Sequence, residues 1–144
     1  MAFEVRTMNT TRTEMVTTRL YDLAEDHELI AKVQHATLTT TDFGLVPEIA
    51  LYGSREWWQA IEEERIPLHR IEGVISDVFT SGESNWPQFE IDSNGEKTIW
   101  TRFGDANAYH IGDQVRLTYV VQKPKKSWTG DPFQNEVISI DVEK

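Results

Sequence analysis

Between Lys97 and Phe133, cationic and aromatic side chains interleave along the chain: Lys97, Trp100, Arg102, Phe103, Tyr109, His110, Arg116, Tyr119, and then Lys123, Lys125, Lys126, Trp128 and Phe133. Aromatic faces stack on planar groups and cations pair with phosphates or carboxylates, so this combination fits binding better than bond-breaking. The contact set expected from it is Trp100, Arg102, Arg116, Lys123, Lys125, Lys126 and Trp128. The last four sit on or beside a turn-rich connection, PKKSWTGDPFQN, and exposed connections of this kind often carry function. The bland alternative is a basic loop that balances an acidic body.

Residues suited to catalysis are present without the spacing that catalysis needs. No phosphate-cradling glycine loop, dinucleotide fingerprint or nucleophile elbow occurs among the eight glycines. The histidines, His27, His35, His69 and His110, show no metal-binding repeat, and there is no cysteine to supply a thiolate or a disulfide. No cofactor or metal is therefore expected. Carboxylates are plentiful: Glu62, Glu63 and Glu64 in a run, with Asp77, Glu83, Glu90 and Asp92 farther on. A general acid needs one of them in an apolar pocket. Trp57 and Trp58 could floor such a pocket, so a small enzyme remains one of the readings.

Net charge narrows the partners. Fourteen basic and twenty-four acidic residues give −10. The excess is spread over both halves: 6 basic against 12 acidic side chains in residues 1–68 (−6), and 8 against 12 in residues 69–144 (−4). A field of this sign repels nucleic acid. Single-stranded nucleic-acid binding is kept as an alternative only because of the aromatic–cation interleaving. An acidic inhibitor that mimics nucleic acid and binds a basic protein is a further reading. The first residues, MAFEVRTMNTT, carry no basic region followed by an apolar run, and no stretch has the ~20 apolar residues of a membrane span. The expectation is a soluble cytoplasmic chain with no membrane partner, in which the Asn9-Thr10-Thr11 sequon has no role.

The elements that must position these residues are mostly strands. Residues 1–53 are threonine-rich, and threonine favours strands, so they read as an N-terminal β extension. FEVRTM (3–8) and TEMVTTRLYDL (13–23) fit a hairpin about Asn9-Thr10. HELIAKVQHATLTT (27–40) fits either period and is assigned to strand because it runs into threonines; Asp42-Phe43-Gly44 reads as a turn and VPEIALY (46–52) as another strand. Residues 54–66 form the one short helix: Ser54 caps it, Trp57, Trp58, Ala60 and Ile61 share a face, and Pro67 stops it. The tryptophan pair is expected to be buried filler.

Residues 68–144 give five strands: 69–82, with Gly73 marking a bulge or bend, then 86–92, 97–103, 114–123 and 136–143. The set resembles a small, partly closed five-stranded barrel of the OB type, with the helix laid across one opening. It departs from that pattern because residues 104–113 leave no room for a helix between the third and fourth strands. The chain is thus expected to be a single mainly β domain, OB-like in residues 68–144.

The hairpin at Asn94-Gly95 decides whether Trp100 faces inward. A two-residue turn pairs Phe89 with Trp100 and puts that indole in the core. A three-residue loop pairs Phe89 with Thr101 and turns Trp100 and Arg102 outward together. Both registers stay open at this stage. The leading expectation is a non-catalytic module that binds a protein or small ligand through the barrel face and loops after residue 97.

Overall fold

The computed structural model describes residues 16–143. The protein is mainly β: a six-stranded antiparallel sheet, not fully closed, with two helices. The elements are β1 (Thr17–Asp22), α1 (His27–Thr39), α2 (Arg55–Glu62), β2 (His69–Ser81), β3 (Trp86–Ser93), β4 (Glu96–Thr101), β5 (Gln114–Gln122) and β6 (Gln134–Glu143). Strand order is β1-β6-β5-β2-β3-β4. All five strands expected after residue 68 are present. The expected strand at 3–8 and the turn at Asn9-Thr10 lie outside the described residues. Contacts divide the chain into two compact units.

The first unit holds Glu72–Arg116 with the described parts of residues 1–20 and 141–144. Its frame is the meander of β2, β3 and β4. Phe89 pairs with Trp100, Ile91 with Thr98 and Ser93 with Glu96, so the two-residue register is the one formed. Asn94 and Gly95 both take positive φ, 55° and 92°, as the mirror-image turn favoured in tight hairpins requires. Asp92 Oδ1 accepts from the Gly95 N–H at 2.7 Å and fixes the turn. Ile75, Phe89 and Ile91 are fully buried, and the Tyr109 ring packs 4.8 Å from Phe89. The irregularity in β2 falls between Ile75 and Asp77, not at Gly73. Gly73 has another role: a side chain there would run into the Asp92 carbonyl.

The second unit comprises Tyr21–Ile71 and Leu117–Ile140. Here two expectations fail. Residues 27–40 are helical, not a strand. Asp26 caps α1, its Oδ1 accepting from the Leu29 N–H at 3.2 Å. The threonines that argued for a strand instead bond back along the helix: Thr37 Oγ1 to Val33 O at 2.8 Å, Thr39 Oγ1 to His35 O at 2.7 Å and Thr40 Oγ1 to Ala36 O at 2.7 Å. A hydroxyl satisfied by the carbonyl four residues earlier removes much of the penalty of threonine in a helix. Residues 46–52 are irregular rather than a strand. Only Leu45 makes a bridge, to Pro124, and Pro47 lacks the N–H that a ladder would need next.

The second helix forms as the spacing requires. Ser54 Oγ accepts from the Trp57 N–H at 3.2 Å. Glu64 takes φ 64° and the Arg65 and Ile66 N–H groups fold back on the Ala60 carbonyl, so the helix stops before Pro67. Trp57 is 0% exposed and lies between the Tyr52 ring, 4.8 Å away, and the Trp58 ring, 4.9 Å away. Its Nε1–H donates to Gln122 Oε1 at 3.2 Å. Burying one indole in this way contributes about 4–5 kcal/mol before ordering costs, at ~25 cal/mol per Å² over ~200 Å². A helix of eight residues has too few turns to stand alone, so Trp57 is what secures it.

Candidate partner-binding site

The expected contact residues fall into two groups, and the fold treats them differently. Trp100, Arg102 and Arg116 belong to the first unit. Trp100 is only 9% exposed, its Nε1–H donating to Thr98 Oγ1 at 2.7 Å. The hairpin register alone puts it there. Arg102 uses its guanidinium on backbone carbonyls: Nε to Gln88 O at 2.9 Å, Nη1 to Ala106 O at 2.9 Å and Nη2 to Phe79 O at 3.0 Å. It ties the start of β3 and the end of β2 to the turn at Ala106–Ala108. Arg116 lies 3.4 Å from Glu72, an exposed pair of small energetic weight. Trp100 and Arg102 therefore carry structure more than a free surface, whereas the Arg116 side chain stays exposed.

The 123–128 segment belongs to the second unit and is anchored at its start. The Val46 N–H donates to Lys123 O at 2.8 Å, and the Lys125 N–H to Gly44 O at 3.1 Å, so this segment and residues 44–46 run side by side. The Lys123 side chain is exposed. Lys125 turns inward. Its Nζ donates to the Thr37 and Thr40 carbonyls, the latter at 2.6 Å, at the C-terminal end of α1. A cation there satisfies orphan carbonyls and offsets the negative helix end.

Beyond the anchor, side chains point to solvent. Trp128 is 61% exposed and Phe43 55% exposed, and their rings stack at 5.4 Å with an 18° tilt. The Lys126 ammonium sits 4.3 Å from the centre of the Trp128 ring. Phe43 is set by α1: the Thr40 hydroxyl accepts from its N–H at 3.0 Å. Gly44, at φ +88°, admits no side chain, because a Cβ would come within 2.7 Å of the Thr37 backbone. Its carbonyl thereby stays free to meet Lys125, and the Leu45 N–H meets Thr37 Oγ1 at 3.1 Å.

The stacked rings form one wall of a cleft of about 320 Å³. Leu29, Val33 and Ala36 of α1 supply the apolar lining, with Glu136 at the start of β6. Burial pushes the Glu136 carboxyl up to about 7, against a lowering by the Gln134 amide, which donates to it at 2.6 Å. Leu38, 71% exposed, lies on the neighbouring surface with Phe43. Exposed aromatics flanked by aliphatic residues and a cation are what anchors of protein interfaces are made of.

A family model described as Immunity protein RhsI2 matches residues 14–143. This chain belongs to the RhsI2 immunity protein family. A search of curated proteins finds no match. Membership makes the chain a protein-binding module and implies a protein partner. Among the described residues no helix is long and apolar enough to cross a membrane. Within this RhsI2-family chain, Lys126 and Trp128 of the expected contact set line the cleft, and the fold adds Phe43 and Glu136 to that lining and Leu38 beside it. Phe43 was hidden because Asp42-Phe43-Gly44 reads as a turn. Leu38 and the cleft were hidden because α1 read as a strand.

Proposed function

We propose that this chain protects against a protein toxin by binding it, without chemistry of its own, and that the Phe43–Trp128 ledge is the centre of the contact. The observation that carries this reading is the exposed ring stack on an anchored segment. Two large apolar rings, both more than half exposed, are held in place before any partner arrives. A preset anchor loses little side-chain freedom on binding. The net charge of −10 supports a toxin with a basic face, since complementary fields raise association rates and select partners. The cytoplasm is the proposed compartment, which cell fractionation tests.

The experiment is protection together with affinity. Co-expression with the toxin domain restores growth for the wild-type chain and not for the double variant Phe43→Ala/Trp128→Ala. Calorimetry on purified proteins shows Trp128→Ala weakening the complex by about 30-fold or more, the ~2 kcal/mol typical of a central anchor. The melting temperature stays close to wild type. Unchanged protection and affinity in the double variant would refute the ledge as the docking centre.

A further inference from the structure

The cleft beside the ledge carries a feature that an apolar docking groove does not need, namely a desolvated carboxylate. Glu136 is partly buried, and its single hydrogen-bond partner among the described residues is the Gln134 side chain. Lys32 and Lys126 line the same cleft, as does Asp42, yet no ion pair joins either lysine to Glu136 among the described residues. Lys32, Lys126 and Asp42 are exposed, so water screens their charges. Tyr52 lies within electrostatic range of Glu136, its own proton held more tightly by burial and by that carboxylate. A carboxylate removed from water gains most from a cation that brings its own donors, and the wall beside it is aromatic.

We propose that this cleft receives an arginine side chain of the toxin, with the guanidinium paired to Glu136 and laid against the Phe43–Trp128 wall. The inference rests on the docking reading above and names the chemistry of one group that the partner presents. Arginine suits the site better than lysine. Its planar group can meet both carboxylate oxygens, stacks on aromatic faces and is less strongly hydrated than an ammonium. The exposed Lys126 ammonium, 4.3 Å from the centre of the Trp128 ring, has to swing aside toward solvent for the guanidinium to enter. Burial pushes the Glu136 carboxyl up to about 7 and so favours its neutral form, and an arriving guanidinium would favour the charged form.

The test uses N-acetyl-arginine amide as probe, titrated into the isotope-labelled full chain and followed by two-dimensional NMR at pH 8. The expected result is saturable shifts at the Trp128 indole N–H and at Gly44, with millimolar affinity. N-acetyl-lysine amide should bind at least about five-fold more weakly, and N-acetyl-norleucine amide should not bind. Glu136→Gln, which keeps the shape and the Gln134 contact, should abolish the shifts. At pH 6 the wild-type affinity should fall about ten-fold, because a group titrating near 7 is then mostly neutral. Absence of shifts around the cleft, or equal binding by Glu136→Gln, would overturn the proposal. The docking reading is scored separately: if Trp128→Ala still loses the toxin while the arginine probe fails, the ledge stands and the arginine subsite does not.

Discussion

In the β3–β4 hairpin and its exit, a tryptophan and an arginine two positions apart are both consumed by the fold. In the 123–128 segment, a lysine and a tryptophan two positions apart are both presented to solvent. The residue types and spacing are nearly the same, and the backbone makes the difference. In a paired strand, register sends Trp100 inward, and the adjoining chain turns back so that Arg102 can serve three carbonyls. In a connection anchored at its start, Trp128 stays mostly exposed, touched by the Phe43 ring and the Lys126 ammonium. Interleaved aromatics and cations are thus no signal of a surface until their backbone partners are known.

That contrast can be broken by substitution. Trp100→Ala should have the largest effect on stability, about 3–5 kcal/mol, as expected for a buried aromatic truncation. Trp128→Ala should cost less than about 1 kcal/mol on the same denaturant curve. If the two cost the same, the division between interior and surface indole is wrong. Arg102→Lys should destabilise by about 2–3 kcal/mol, because one ammonium cannot serve three carbonyls from a planar fork. Arg116→Lys, at an exposed pair, should change stability by less than about 0.5 kcal/mol.

Two smaller effects sharpen the picture within the second unit. Burial pushes the Glu136 carboxyl from the ordinary carboxylate range up to about 7 in the folded chain, so the folded state holds the proton more tightly than the unfolded state. Wild-type stability should therefore fall as pH rises from about 4.5 to 7, by about 1–2 kcal/mol after allowance for partial exposure. Glu136→Gln should remove that part of the slope, as urea titrations at pH 5 and pH 8 would show. Lys125→Met should cost about 1 kcal/mol and speed amide exchange over Thr37–Thr40, where its ammonium meets the end of α1.

Much of the fold was readable from residue patterns, and the limits have physical causes. The strands after residue 68 were legible because alternation and the Asn-Gly turn agree with the final pairing. The capped helix at Ser54 was legible because its apolar residues share one face. α1 was not, because Leu29, Ile30 and Val33 satisfy one period, Leu29, Ala31 and Val33 satisfy another, and threonine can close its own hydrogen bond within a helix. Half of the ledge followed that error. Trp128 could be picked out as an exposed loop aromatic, whereas Phe43 owes its position to Thr40 and Gly44 at the end of a helix that the pattern did not reveal.

The hydrogen bonds of the 123–133 connection fall into two sets. Those of Lys123 and Lys125 hold its base to residues 44–46 and to α1, while Ser127, Asp131 and Phe133 bond among themselves at its tip. Alterations at the tip should stay local, whereas alterations at the base should propagate into the helix. Residues 126–131 should thus tolerate substitution while the scaffold keeps its fold, so a chain rewritten there should melt close to wild type.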